Sequence, residues 1–147
     1  MGKVKFKEVD SRTEAQVVIG FYRNTDSTLP QPFETNTLAY AFLGNGGTAF
    51  NVVGDIFFND ENFNWALSPS RTVIDFIRVS LHEILHSLGY HHVTNDPTAI
   101  LYPSYNPNIP IKISRDTIDG LAFTYHKFDG PISNDCLLYT SPSPRDS

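Results

Sequence analysis

The run from His82 to His92 reads His-Glu-Ile-Leu-His-Ser-Leu-Gly-Tyr-His-His, setting His82, Glu83, His86, Gly89 and His92 at spacings suited to metal chemistry. In a helix, residues four apart stack one turn above each other on the same face, so His82 and His86 can aim at one point. Gly89 accepts a positive φ that ends the helix and turns the chain back, which can bring His92 to that point as a third nitrogen ligand. Three protein ligands leave one tetrahedral position open to water, the arrangement of a catalytic rather than a structural zinc. Glu83 lies about 100° around the helix from His82, placed to meet that water rather than the metal. The chemistry this suits is metal-assisted hydrolysis, with Glu83 taking the proton of the attacking water and passing it to the leaving group. The bland reading, a solvated histidine-rich helix end, leaves the glycine and the third histidine at their fixed offsets unexplained.

The element that must position these residues is a helix opened by Ser68-Pro69-Ser70. Ile74, Ile77, Leu81, Ile84, Leu85 and Leu88 recur at helical steps and form its buried stripe, with the histidines off it. Upstream, Val4–Val9, the β-branched Ala15–Phe21, Leu38–Phe42 and Val52–Asn59 read as strands, with Gly54 at a bend. Residues 24–37 form a loop rich in Pro, Thr and Asn, and Gly44–Gly47 a turn. Downstream, Pro-rich irregular chain leads to Ser114, an N-cap for a last helix from Arg115 to about His126. His91 and His126 read as surface residues.

Strands followed by helices give an α+β class, and 147 residues of ordinary globular composition fit one domain. A net charge of −5 with no basic run argues against nucleic acid or an anionic membrane surface as partner. No apolar stretch reaches the length of a membrane span, and no signal peptide opens the chain. The single cysteine, Cys136, begins a run to Asp146 that matches, codon for codon, the translation of a transposase-type sequencing adaptor. Residues 136–147 are therefore set aside as a disordered, artefactual tail, leaving a domain over 1–130 and the start of a linker at 131–135.

The zinc motif, together with Ala99-Ile100-Leu101-Tyr102-Pro103-Ser104-Tyr105, resembles the matrixin (matrix metalloproteinase) branch of the metzincin zinc endopeptidases. The resemblance extends through Leu38–Phe42, Gly54–Glu61 and Asp116–Gly120, covering roughly Val4 to His126. It implies a secreted enzyme whose twisted, mixed sheet packs on the active-site helix, with a further C-terminal helix. An antiparallel edge strand at Leu38–Phe42 would form the rim of the cleft, pairing with an extended substrate through backbone groups around Leu38 and Ala39. Pro103 and Tyr105 would wall the pocket for the side chain after the scissile bond. Arg78 matches a position where a long side chain shortens that pocket, favouring small or medium aliphatic residues; the alternative is a solvated helix residue. The family's domain begins with a strand and a long helix ahead of the segment that Val4–Glu8 resembles. Both are expected to be missing here, exposing apolar surface at Val17, Ile19 and Phe21.

The chain departs from the family's pattern at several points. Leu101 stands where metzincins place the methionine of the turn under the zinc, a volume-conserving change of small expected cost. Tyr40 and Phe57 replace histidines that would hold a second, structural zinc, so one zinc is expected and an aromatic contact between these rings in place of the other. Asn59 and Asn62 stand where calcium-binding acids are usual, although Glu34, Asp55, Asp60 and Glu61 remain; calcium stays open rather than expected. Val93 follows His92 where Ser or Thr is common. The expected function is a monomeric zinc endopeptidase acting on protein or peptide substrates. The alternatives are an inactive zinc-binding pseudo-peptidase or interaction domain, and a fragment that does not fold.

Overall fold

The computed structural model describes residues 5–43, 54–67, 72–125 and 135–140. The strands are β1 (Lys5–Glu8), β2 (Val17–Tyr22), β3 (Ala39–Ala41), β4 (Ile56–Asn59), β5 (Trp65–Ala66), β6 (Ile74–Asp75) and β7 (Asp135–Thr140), and the helices α1 (Phe76–Ser87) and α2 (Arg115–Tyr125). A five-stranded mixed sheet runs β1-β7-β2-β4-β3 and a two-stranded parallel sheet joins β5 to β6. In the larger sheet β3 alone is antiparallel to its neighbour, lying on the edge with Tyr40 opposite Phe57.

β4 is the middle of the fold. Ile56, Phe57, Phe58 and Asn59 are all buried, so both faces of this strand are covered, which the run of bulky residues matches. On one face Ile56 and Phe58 meet Val79 of α1 with Ile19, Phe21, Trp65 and Phe76 around them. On the other, Phe57 and Tyr22 pack with Phe33 from the loop between β2 and β3. The contact expected between Tyr40 and Phe57 forms as a stack with centroids 5.1 Å apart, and Phe33 and Phe42 close around Tyr40 at 5.2 and 5.8 Å. That cluster ties the 23–37 loop to the sheet. The Tyr40 hydroxyl donates to the Gln31 carbonyl, and Asn24 exchanges two hydrogen bonds with the Phe33 backbone.

Several expectations change. The helix starts at Phe76, where the Asp75 carboxylate accepts the Arg78 N–H as N-cap; residues 68–70, expected to open it, lie outside the described residues. Ile74 packs against the core from β6 rather than from the helix, and Ile77 is 47% exposed, while Phe76 and Val79 pack from the first turn of α1. Val17 is buried, and Ile19 and Phe21 are half-buried among aromatic neighbours rather than laid bare. Asp135–Thr140, expected to be linker end and disordered tail, forms β7 between β1 and β2. Cys136–Thr140 is rich in strand-favouring residues, and β1 pairs with no other strand among the described residues, so extended chain there satisfies two open edges at once. The Gly44–Gly47 turn, Val52, Val53 and His126 lie outside the described residues.

A buried carboxylate joins β2 to the turn before β4. Asp55 is 2% exposed, its Oδ1 accepts the Val18 N–H at 2.8 Å, and the Arg12 guanidinium stands 3.8 Å from Oδ2. Burial raises its pKa, against the Val18 hydrogen bond and Arg12, which lower it. A carboxyl whose folded pKa is raised contributes stability in full below its unfolded value and loses it as pH rises through the folded value. Asp55→Asn keeps an acceptor for Val18 but never charges. Urea midpoints from acid pH to neutrality should therefore fall less with rising pH in this variant than in the parent; parallel profiles would count against a raised Asp55.

Candidate metal centre and cleft

α1 ends in a reversal whose hydrogen bonds can be followed one by one. Gly89 N–H donates to the His86 carbonyl at 2.8 Å and Tyr90 N–H to the Leu85 carbonyl at 3.0 Å, with Gly89 at φ +96°. This is the Schellman arrangement, and its apolar contact is present too, since Tyr90 packs in the cluster of Leu85, Ile100 and Leu101. The reversal returns His92 to the two helical histidines. The Nε2 atom of His82 lies 2.9 Å from that of His86 and 3.3 Å from that of His92. The three form the group of metal-binding side chains found among the described residues.

The other ring nitrogens decide the tautomers. His82 Nδ1 meets the Ile100 carbonyl at 2.7 Å and His86 Nδ1 meets the Tyr90 carbonyl at 2.5 Å. A carbonyl can only accept, so both Nδ1 atoms carry the proton and both Nε2 atoms turn a lone pair to the shared point. Burial lowers the pKa of His82 to about 4, opposed by the Ile100 hydrogen bond and aided by His86 and His92. Burial also lowers that of His86, against its bond to Tyr90. Both rings are thus held neutral. Zinc–nitrogen bonds of about 2.0–2.1 Å in a tetrahedron need nitrogens about 3.3 Å apart; the His82–His92 spacing is 3.3 Å, the His82–His86 spacing 2.9 Å, and all three nitrogens lie within 4.8 Å of one another. The donor set fits a zinc ion.

Glu83 is 5% exposed, and its Oε2 is buried without a hydrogen-bond partner. Burial pushes its pKa up to about 8. It lines one cavity of about 700 Å³ with His82, His86 and His92. Leu38, Ala39, Arg78, Pro103 and Tyr105 line the same cavity, so the structure brings all the expected cleft residues to one place. Leu101 does not face it: 2% exposed, it packs beneath with Leu85 and Ile100, and its carbonyl accepts the Val93 N–H at 3.0 Å. Tyr105 also has a structural task, its hydroxyl accepting the N–H of Asp75 at the start of α1. Arg78 is buried rather than solvated, with Nη2 donating to the Ile109 carbonyl.

The backbone of the edge strand corrects one detail. The Leu38 carbonyl accepts the Asn59 N–H at 2.9 Å, and Phe42 bonds Asp55 and Gly54 through its own N–H and carbonyl. Residues 38, 40 and 42 thus spend their backbone groups inside the sheet, and by alternation Ala39 and Ala41 hold theirs at the open edge. Ala41 and the carbonyls of Ile100 and Tyr90 are what motif reading missed. Alternation along Leu38–Phe42 could have pointed to Ala41, but nothing local marks the two carbonyls. Of the acids near a calcium position, Asp55 accepts the Val18 N–H and Glu61 the Asn24 N–H through one oxygen each, while Asn59 bonds Thr37, Glu61 and Asn62.

A helix carrying two ligands, a glycine reversal carrying the third and a mixed sheet presenting an edge strand define a metallopeptidase-like centre. The family model described as matrixin matches residues 1–126, and the chain belongs to the matrixin family. It is 38% identical to human matrilysin over 117 residues, spanning 77% of this chain and 41% of that protein. It is 35% identical to bovine interstitial collagenase over 126 residues, 84% of this chain and 24% of that protein. To metalloendoproteinase 1-MMP of Arabidopsis thaliana it is 31% identical over 124 residues, 83% of this chain and 33% of that protein. The chain thus spans less than half the length of these relatives.

Any residue with a Cβ at position 89 must adopt a backbone that costs L-residues about 1–2 kcal/mol. Gly89→Ala should lower unfolding free energy by roughly that amount and weaken zinc binding by displacing His92. Equilibrium denaturation and chelator competition measure the two, and unchanged zinc affinity would show that His92 does not depend on the reversal.

Proposed function

We propose that the chain is the catalytic domain, over residues 1–130, of a secreted zinc endopeptidase that hydrolyses peptide bonds within extended protein or peptide substrates, acting as a monomer. The observation that carries this reading is the buried, unpartnered Glu83 carboxylate in the same cavity as three converging imidazoles. His82, His86 and His92 would hold one zinc ion. Bound there, zinc would supply Lewis acidity, making a water molecule more acidic and polarising the scissile carbonyl. Glu83 would take the proton of the attacking water and return it to the leaving amine; a nearby dication would oppose the burial that raises its pKa.

The substrate backbone would add to the sheet along β3, pairing with Ala39 and Ala41. Pro103 and Tyr105 would wall the pocket beyond the scissile bond, and Arg78, buried and anchored on Ile109, would close it to long side chains. Secretion is what the family resemblance implies; separately, no described helix is long and apolar enough to cross a membrane. Calcium is not part of this proposal.

Two measurements test it. The zinc-loaded chain should cleave a quenched fluorogenic peptide library, and Glu83→Ala should lower kcat at least about 100-fold with zinc still bound. A parent that binds one zinc tightly yet cleaves nothing would point to a zinc-binding domain without peptidase activity. In the same library Arg78→Ala should shift preference by about tenfold towards longer side chains after the scissile bond; an unchanged profile would remove Arg78 from the pocket.

A further inference from the structure

We infer that Tyr90 is a positioning residue through which α2 holds His86 in its metal-binding orientation. This rests on the zinc-site reading and extends it to a part of the chain outside the motif. Tyr90 is fixed from several sides. Its N–H donates to the Leu85 carbonyl, its own carbonyl accepts a hydrogen bond from His86 Nδ1, and its side chain packs against the cluster of Leu85, Ile100 and Leu101, as does Leu121 of α2. Its hydroxyl reaches α2, donating to the Thr117 carbonyl at 3.4 Å.

The fit on α2 is specific to a glycine. A Cβ at Gly120 would lie 2.6 Å from the Tyr90 hydroxyl oxygen but 3.5 Å from the nearest ring carbons. The first distance is a clash and the second an ordinary contact. The hydroxyl is the outer end of a ring confined by the apolar cluster, and the backbone at its other end carries the carbonyl that aims His86. A push at Gly120 is therefore transmitted to the imidazole, and α2 becomes part of the metal site without touching the metal.

The geometry supplies a suppressor test. Zinc affinity is measured by competition with a chromophoric chelator, and the ligand field by the visible absorption of the cobalt(II)-loaded chain. Gly120→Ala should weaken zinc about tenfold, the scale expected when a ligand's supporting hydrogen bond is disturbed, and should alter the cobalt spectrum. Alanine's helix preference over glycine offsets part of the cost of the clash, so the metal-free Tm should change little; a merely structural role would instead lower Tm in step with metal affinity. Tyr90→Phe removes the clashing oxygen along with its bonds to Thr117 and Thr124, so it is the reference, and Gly120→Ala combined with Tyr90→Phe should recover affinity to within about twofold of Tyr90→Phe alone. Gly120→Ala with parental affinity and spectrum overturns the inference, as does a double variant no better than Gly120→Ala. Should Gly120→Ala fail to fold, Tyr90→Ala takes its place, where parental zinc affinity is the overturning result. A parent chain that binds neither zinc nor cobalt sinks the zinc-site reading itself, whereas a binding parent with indifferent variants sinks only the coupling.

Discussion

Three imidazoles turn a ring nitrogen on one point, two of them held neutral with their lone pairs inward, and their convergence is the constraint on which the rest of the structure depends. Proton placement makes this arrangement definite. Because the carbonyls of Ile100 and Tyr90 accept from the Nδ1 atoms of His82 and His86, those rings cannot rotate the proton to the inner side without leaving a buried carbonyl unpaired. Each of these carbonyls belongs to a segment pinned by its own apolar packing, Ile100 beside Leu85 and Leu101, Tyr90 at the edge of the same cluster. The core therefore sets the tautomers, and the tautomers set what the site can bind.

The cleft follows from the same economy of elements. α1 lies against β3 and β4, which puts the face bearing Arg78, His82, Glu83 and His86 beside the open edge of the sheet. The opposite wall is the 97–106 stretch, held near by Val93 N–H on the Leu101 carbonyl and by the Tyr105 hydroxyl on the first turn of the helix. The segment that walls the pocket thus also caps the start of α1, so pocket shape and helix position are not independent variables.

How much of this was legible in the sequence depended on range. The convergence of His82, His86 and His92, the reversal at Gly89 and the second helix could be read because each rests on residues within one or two turns of one another, where spacing translates directly into geometry. The Tyr40–Phe57 contact was legible from the resemblance, which sets both residues on neighbouring strands where histidines would hold a second zinc. The start of α1 was not, because Ile74 and Ile77 fit a helical stripe yet one joins β6 and the other faces solvent; periodicity cannot say where the stripe loses its partner. β7 was missed for a different reason. A segment set aside on its apparent origin still carries strand-favouring side chains, and an unpaired pair of strand edges accepts extended chain whatever its origin.

The 23–37 loop shows how a metal can be replaced by packing. Where the family resemblance implies a second zinc, Phe57 is fully buried with Tyr22, Tyr40 and Phe42 at centroid distances of 5.1–6.0 Å, and Phe33 bridges from the loop. A metal holds a loop by a few directional bonds that chelators and acid can remove. An aromatic cluster holds it by buried area, which neither removes. Its polar ends are satisfied locally, with the Tyr40 hydroxyl on Gln31 and burial raising its pKa to about 12, so no titration near neutrality loosens it. In this chain the 23–37 loop is therefore held to the sheet by packing that neither chelators nor acid removes.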